Sequence, residues 1–416
     1  MQWSSRAMLR LLIVNILDRE EKIMAEWLKT ALIDIVELIG GGTPKTSKAE
    51  YWDGNINWLS VKDFNNENRY VYSTEKTITE EGLNNSSTKL LKKDDIIISA
   101  RGTVGELAMI PFPMAFNQSC YGIRAKEGID SIFLYYLIKN SVRKFKAITH
   151  GSVFDTITRD TFANIEVAIP DIKTQHRIAK MLADIDDKVE NNQRINNNLE
   201  QQAQAYFDEL FVVNADPNWS ECTLSDIGSV VAGGTPSKSK PDYYADQGIA
   251  WITPKDLSVN KSKFISHGEN DISELGFSKS SAAKMPAGTI LFSSRAPIGY
   301  IAIAQNEITT NQGFKSVIPH ENISTAYMYF LLKNLLPTIE GMASGSTFKE
   351  ISGTAMKSVP TVMPDADTIQ LFSSFCEPVF KEQEILEAEN QCLSALRDSL
   401  LPKLMSGELD VSNIDL

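Results

Sequence analysis

The stretch WLKTALIDIVELIGGGTP (Trp27–Pro44) returns 192 residues later as WSECTLSDIGSVVAGGTP (Trp219–Pro236). Beyond it, Tyr51 matches Tyr243, Trp58 matches Trp251, and Lys62-Asp63 matches Lys255-Asp256. After small insertions the offset settles at 194, joining Gly82 to Gly276, Arg101 to Arg295, Gly105 to Gly299 and Asn117-Gln118 to Asn311-Gln312. It also joins FLYYLIKN (Phe133–Asn140) to YMYFLLKN (Tyr327–Asn334), Gly151-Ser152 to Gly345-Ser346, Phe154 to Phe348, and Pro170 to Pro364. The period is far too long for a solenoid, so a whole domain and its trailing segment are duplicated in tandem.

Each copy reads as a mixed α/β domain. IIISARGTVG (Ile96–Gly105) and ILFSSRAPIG (Ile290–Gly299) predict buried strands running into glycine turns. Phe133–Asn140 and its partner predict short amphipathic helices. The Gly-Gly-Thr-Pro stretch ends the opening segment in a tight turn, because proline halts regular structure.

After each domain the texture changes. Residues 173–211 lack Gly and Pro, and apolar residues recur at alternating steps of three and four: Ile178, Leu182, Ile185, Val189, Leu199, Ala203, Tyr206 and Leu210, with Asn192 and Asn196 filling seam places. The tail repeats this with Phe372, Phe375, Val379, Leu386, Leu393, Leu396 and Leu400, and with Glu382 and Glu389 at polar seam places. These are heptad seams on long helices. Pro378 is expected to kink or restart the second helix. An apolar stripe needs a partner, and the other helix supplies one in an antiparallel coiled coil; packing of each helix on its own domain is the alternative. The expected order is a leader (1–23), domain one (24–171), a central helix and linker (172–216), domain two (217–365), and a C-terminal helix and tail (366–416).

A net charge of −12 argues against a nucleic-acid binder until it is divided along the chain. Domain one holds 17 Lys/Arg against 19 Asp/Glu, and domain two 12 against 13, whereas the C-terminal segment holds 3 against 10. The acid lies mainly in the helical segments, and each nearly neutral domain is free to present a basic face. Four cysteines without paired spacing suit a reducing cytoplasm. No apolar run is long enough to span a bilayer. Met8–Leu17 is short and is followed by Asp18, Glu20 and Glu21, unlike a secretory signal. GGGTPKTS (Gly40–Ser47) lacks the glycine before lysine that a phosphate-binding loop requires. No His-Glu-x-x-His, Gly-x-Ser-x-Gly or Asn/Asp-Pro-Pro-Tyr/Phe motif occurs. No metal, cofactor or catalytic site is visible in the sequence.

The arrangement resembles the specificity subunits of Type I restriction–modification systems. The resemblance rests on Gly-Gly-Thr-Pro followed by an aromatic pair and Trp-x-x-x-Lys-Asp, on Ser-x-Arg-Gly-x-x-Gly, on Asn-Gln, on Pro170, Gln175 and Ile178 at the head of the first helix, and on LRDSLLPKLMSGEL (Leu396–Leu409). It covers about Ala25 to Asp410. It implies two target-recognition domains, each reading half of a bipartite double-stranded DNA site. Paired helices would fix their separation and dock two modification subunits that carry the S-adenosylmethionine chemistry, with restriction subunits joining later. Residues 1–23 fall outside the pattern, and Met24 before Ala-Glu-Trp suggests an upstream start assigned in error.

Because the two halves normally read different sequences, residues identical in both copies are poor base readers. Lys62/Lys255, Arg101/Arg295, Asn117-Gln118/Asn311-Gln312 and Ser152/Ser346 either hold phosphates, which position without specifying, or pin loops. Base reading is expected where the copies diverge, at Phe64–Lys76 against Leu257–Asn270 and at Arg143–His150 against Pro337–Ser344. Arg69, Arg143, Lys144 and Lys146 suit guanine or phosphate; Asn65, Asn66, Asn68, Asn260 and Asn270 qualify for adenine by type. A two-headed adaptor or RNA-binding protein with a helical spacer is the competing reading. A self-sufficient methyltransferase is disfavoured by the missing motifs.

Overall fold

The computed structural model describes residues 27–64, 68–149, 156–345, 349–411 and 414, with the backbone alone at 143 and 147–149. The leader therefore lies outside the described residues. The chain forms two compact units, one of residues 1–191 with 390–416, the other of residues 192–389.

In the first unit, β1 (Leu28–Ala31) pairs with β9 (Glu166–Ile169) in an antiparallel ribbon that closes the domain. An antiparallel sheet runs in the order β2 (Val36–Gly40), β8 (Cys120–Ala125), β5 (Ile96–Ser99) and β6 (Leu107–Met109). A second sheet places β3 (Trp52–Leu59) between β4 (Lys76–Ile78) and the parallel β7 (Ala115–Phe116). Every residue of β5 is buried, as its apolar run demands.

Helix α1 spans Ser131–Thr149, and Phe133–Ile138 within it are all buried. The expected amphipathic helix is corrected here. One side of α1 meets β6 and β8, while Tyr136 reaches Asp186 of α2 (Ile172–Asp208), so neither face of the Phe133–Ile138 stretch sees water; the exposed residues of α1 come later, at Lys144 and Lys146.

The second unit repeats the scheme. β10 (Ser220–Thr223) pairs with β20 (Pro360–Met363). The main sheet is β11 (Gly228–Ala232), β19 (Lys315–Pro319), β16 (Ile290–Ser294), β17 (Ile298–Ala304) and β14 (Phe264–Ile265). The smaller sheet is β12 (Tyr244–Ala245), β15 (Asn270–Ile272), β13 (Ile249–Ile252) and β18 (Thr309–Thr310). Helix α3 (Thr325–Asn334) is buried from Ala326 to Leu332, which corrects the amphipathic expectation for this copy too. Helix α4 runs from Ala366 to Met405.

Both units have the same makeup: a domain, a segment of the helix α2 and a segment of the helix α4. In the first unit Ile178 and Leu182 share a core with Phe133, Tyr136, Leu400 and Leu404, and Leu396 packs against it. In the second, Phe372 and Cys376 share one with Tyr327, Phe330, Ala203 and Phe207. Within each unit the two helix segments run antiparallel. Arg397 meets Asp186 and Asn390 meets Val189 in the first; Glu389 meets Asn192 and Gln383 meets Asn196 in the second.

The seam differs from expectation at several positions, among them Tyr206 and Leu210, which are half-buried while Phe207 and Phe211 are buried. Phe375 lies at the rim with its ring 4.9 Å from Tyr206, and Glu382 is exposed; Cys376 and Gln383 occupy the buried positions instead. Ile185, Leu199 and Val379 are half-buried, while Val189, Leu386 and Leu393 are buried. Helix α4 continues unbroken through Pro378. Pro378 and Ser374 are both exposed, so water can take the bond that the missing N–H leaves unmade.

Candidate nucleic-acid interface

The residues shared by the copies build one frame twice. Trp58 donates its indole N–H to the Gly42 carbonyl, and Trp251 donates to that of Gly234, each at 3.0 Å. Thr43 donates its hydroxyl to the Gln118 side chain as Thr235 does to Gln312. Asn117 Oδ1 accepts from the Ser119 N–H, and Asn311 Oδ1 from that of Gly313. A Cβ at Gly41 or Gly233 would fall on the backbone carbonyl of Asn117 or Asn311, which explains the glycine. The Gly-Gly-Thr-Pro turn is thus stitched to the Asn-Gln turn. Both asparagines shape their own loop, and each glutamine is bound to a threonine.

Lys62 and Lys255 lie inside matching capping boxes, in which Asp63 serves Ser60 and Asp256 serves Thr253. Each aspartate also accepts a backbone N–H from the facing strand segment, at Glu75 or Glu269. Both lysines are exposed and lean towards those glutamates, at 3.9 Å and 2.6 Å. Arg101 is exposed after β5 and has no ion-pair partner among the described residues. Arg295 stands at the equivalent turn, 3.5 Å from Glu350. Glycines at positive φ, Gly102 and Gly105 in one copy and Gly299 in the other, let the chain turn sharply beside these arginines. Lys144 and Lys146 are exposed on α1. The Arg143 side chain, Asn65, Asn66, His150, Ser152 and Ser346 lie outside the described residues.

Arg69 is not at a reading surface. It is 6% exposed, and its guanidinium donates to Asp187 of α2 (2.6 Å) and to the Tyr136 hydroxyl (3.3 Å). Tyr136 in turn donates to Asp186 (2.6 Å), which also receives Arg397 of α4 (2.7 Å). This correction exposes a residue that sequence reading misses. Lys263, at the same offset of 194 from Arg69, is 8% exposed and pairs with Glu200 of α2. It also donates to Gln383 of α4 at 2.6 Å. The Glu387 carboxylate accepts the backbone N–H groups of Lys263 and Phe264. Burial lowers the Lys263 pKa. Burial also works against charge on Glu200, yet Lys263 and Lys333 hold that carboxyl below its usual range.

Among the described residues no group of three or more His, Cys, Asp or Glu is placed to hold a metal ion, and no helix is long and apolar enough to cross a membrane. A duplicated domain whose shared residues build a turn frame, and whose surface loops differ, defines a two-domain recognition protein. The family model described as the Type I restriction modification DNA specificity domain matches residues 24–201 and again 217–394, and the chain belongs to that family, the non-catalytic DNA-recognition subunits of Type I restriction–modification complexes.

One relative matches nearly the whole chain and another two thirds of it. The Type I restriction enzyme MjaIX specificity subunit of Methanocaldococcus jannaschii is 28% identical, over 94% of this chain and 96% of the relative. The HindI specificity subunit of Haemophilus influenzae is 25% identical over 67% and 77%. The crystal structure of a Type I restriction–modification S subunit from M. genitalium shares the fold, with a TM-score of 0.58 at 17% identity over 93% of this chain and 98% of that one.

Proposed function

We propose that this subunit reads a split DNA target, one domain per half-site, and docks two modification subunits on its paired helices, with restriction subunits completing the complex. S-adenosylmethionine belongs to the modification subunit, and the complex works in the cytoplasm, a setting that suits four free cysteines. The observation that carries this reading is the division of labour between shared and divergent residues. Trp58, Gly42, Thr43 and Gln118 recur as one frame with Trp251, Gly234, Thr235 and Gln312, while the sequences around the frame differ. Two domains with one scaffold and two surfaces suit two different half-sites.

Co-expression with the modification subunit and methylation-aware sequencing tests it. The expected result is methylated adenines in two fixed half-sites separated by an unread gap. Purified alone, the chain neither binds S-adenosylmethionine nor methylates DNA. Methyl transfer by the isolated chain, or an uninterrupted motif, contradicts the proposal.

A further inference from the structure

The copies agree at Arg101 and Arg295 and differ immediately beside them. Equivalent backbone bonds fix the alignment: Ile157 N–H donates to the Ala100 carbonyl (3.0 Å) as Ile351 N–H does to that of Ser294 (3.1 Å). Gly40 pairs with Tyr121 as Ala232 pairs with Lys315. Where the first domain has Thr156 and Tyr121, the second therefore has Glu350 and Lys315.

The Glu350 carboxylate lies 3.5 Å from Arg295 Nη1 and 3.6 Å from Lys315 Nζ, and Lys315 Nζ also donates to Ser294 Oγ at 3.4 Å. Lys315 is only 8% exposed, so its ammonium serves this cluster, whereas the Glu350 side chain is 38% exposed. The Glu350 backbone exchanges both hydrogen bonds with Ser344 (3.1 and 2.9 Å), which pins the backbone that carries the carboxylate.

If Arg295 meets DNA, as its recurrence with Arg101 suggests, a carboxylate beside it is repelled by phosphates and needs a reason to be there. Here two cations offset its charge, and its exposed edge keeps unused lone pairs. In the major groove a carboxylate can accept from the cytosine N4 or the adenine N6 amino group, and the N7 lone pair beside adenine N6 repels it, which favours cytosine. We propose that Glu350 is a specificity-determining residue of the second domain, reading a cytosine through N4 while Arg295 holds a neighbouring phosphate. Arg295 recurs in the first domain and positions; Glu350 does not recur and discriminates. This rests on the DNA-reading function proposed above.

The test uses the complex with the modification subunit and a duplex library covering both half-sites. E350T installs the residue of the first copy, and E350Q keeps the shape while removing the charge. With either variant, preference for cytosine at one position of one half-site should fall about tenfold or more, while the other half-site stays unchanged and reports an intact complex. If E350T does not assemble, E350Q carries the measurement. Unchanged preference at every position overturns the inference, as does tighter binding to all sequences alike, which would make Glu350 only a brake on Arg295. Failure of the unmodified complex to select any split site would instead sink the parent reading.

Discussion

Arg69 and Lys263 occupy the same place in the repeat and perform the same task with different chemistry. Arg69 spans from its domain to Asp187, whose side chain is 59% exposed, and to the buried Tyr136 hydroxyl. Its neighbours push its pKa upwards even against burial, so the charge is permanent. Lys263 meets Glu200, only 23% exposed, inside an aromatic box with Phe380 at 4.1 Å and Tyr329 at 4.8 Å from its ammonium. Both cations are buried and both grip α2. In each unit α4 adds its own hold, through Arg397 on Asp186 in one and Gln383 with Glu387 in the other. The duplication has kept a function, a cation tying the domain to the helices, while residue type and partners drifted. Stability should therefore depend more heavily on the second clamp, where the carboxylate is withdrawn from water.

The most damaging substitutions are those that remove a feature common to both units. Phe372→Asp and Leu393→Asp each bury a carboxylate in an apolar seam, one per unit, at a cost of several kcal/mol. Urea unfolding should show a large loss for both, and assembly with modification subunits should fail. Normal assembly of either variant would mean that its seam does not matter.

Next in size are the clamps themselves. Glu200→Gln leaves the Lys263 ammonium buried without its carboxylate and should cost roughly 3–5 kcal/mol. Asp187→Asn removes a largely hydrated partner from Arg69 and should cost about 1 kcal/mol or less. Equal losses in urea titrations of the two variants would contradict the difference drawn between the units.

Much of this architecture is legible in the residues. The tandem repeat, the Gly-Gly-Thr-Pro turns and the long helices announce themselves through identity and periodicity. The clamps do not, because a search for identical residues discards Arg against Lys, and nothing in the chain reveals that either is buried. An exposed basic residue in a divergent loop and a buried one read alike in sequence. Glu350 is hidden for a related reason: the offset of 194 sets it opposite Thr156, but nothing in the chain reveals that Arg295 and Lys315 both meet its carboxylate. The helix around Phe133–Ile138 misleads because a six-residue apolar run reads as one face of a helix, when sheet and α2 cover both sides.

The smallest effect separates the two shared arginines. If both hold phosphates, Arg101→Ala and Arg295→Ala should each weaken binding to all sequences and flatten the salt dependence, by up to about 0.9 in log–log slope per contact. Arg101→Ala should do so more, because Glu350 already offsets part of the Arg295 charge. A change in preferred bases at unchanged affinity would assign these arginines to base readout.

If each domain reads by itself, the helices only set the distance between the half-sites. Four helix-forming residues inserted between Asn191 and Asn192, and four more between Glu389 and Asn390, fall where the chain passes from one unit to the other, leaving each unit whole. Each insertion adds about 6 Å along the axis and rotates the downstream part of its helix by some 40°. With roughly 3.4 Å per base pair, genome-wide mapping of methylated adenines should find both half-sites unchanged and the gap longer by about one base pair, or two at most. Altered half-sites, or an active complex with an unaltered gap, would contradict this division between readers and spacer.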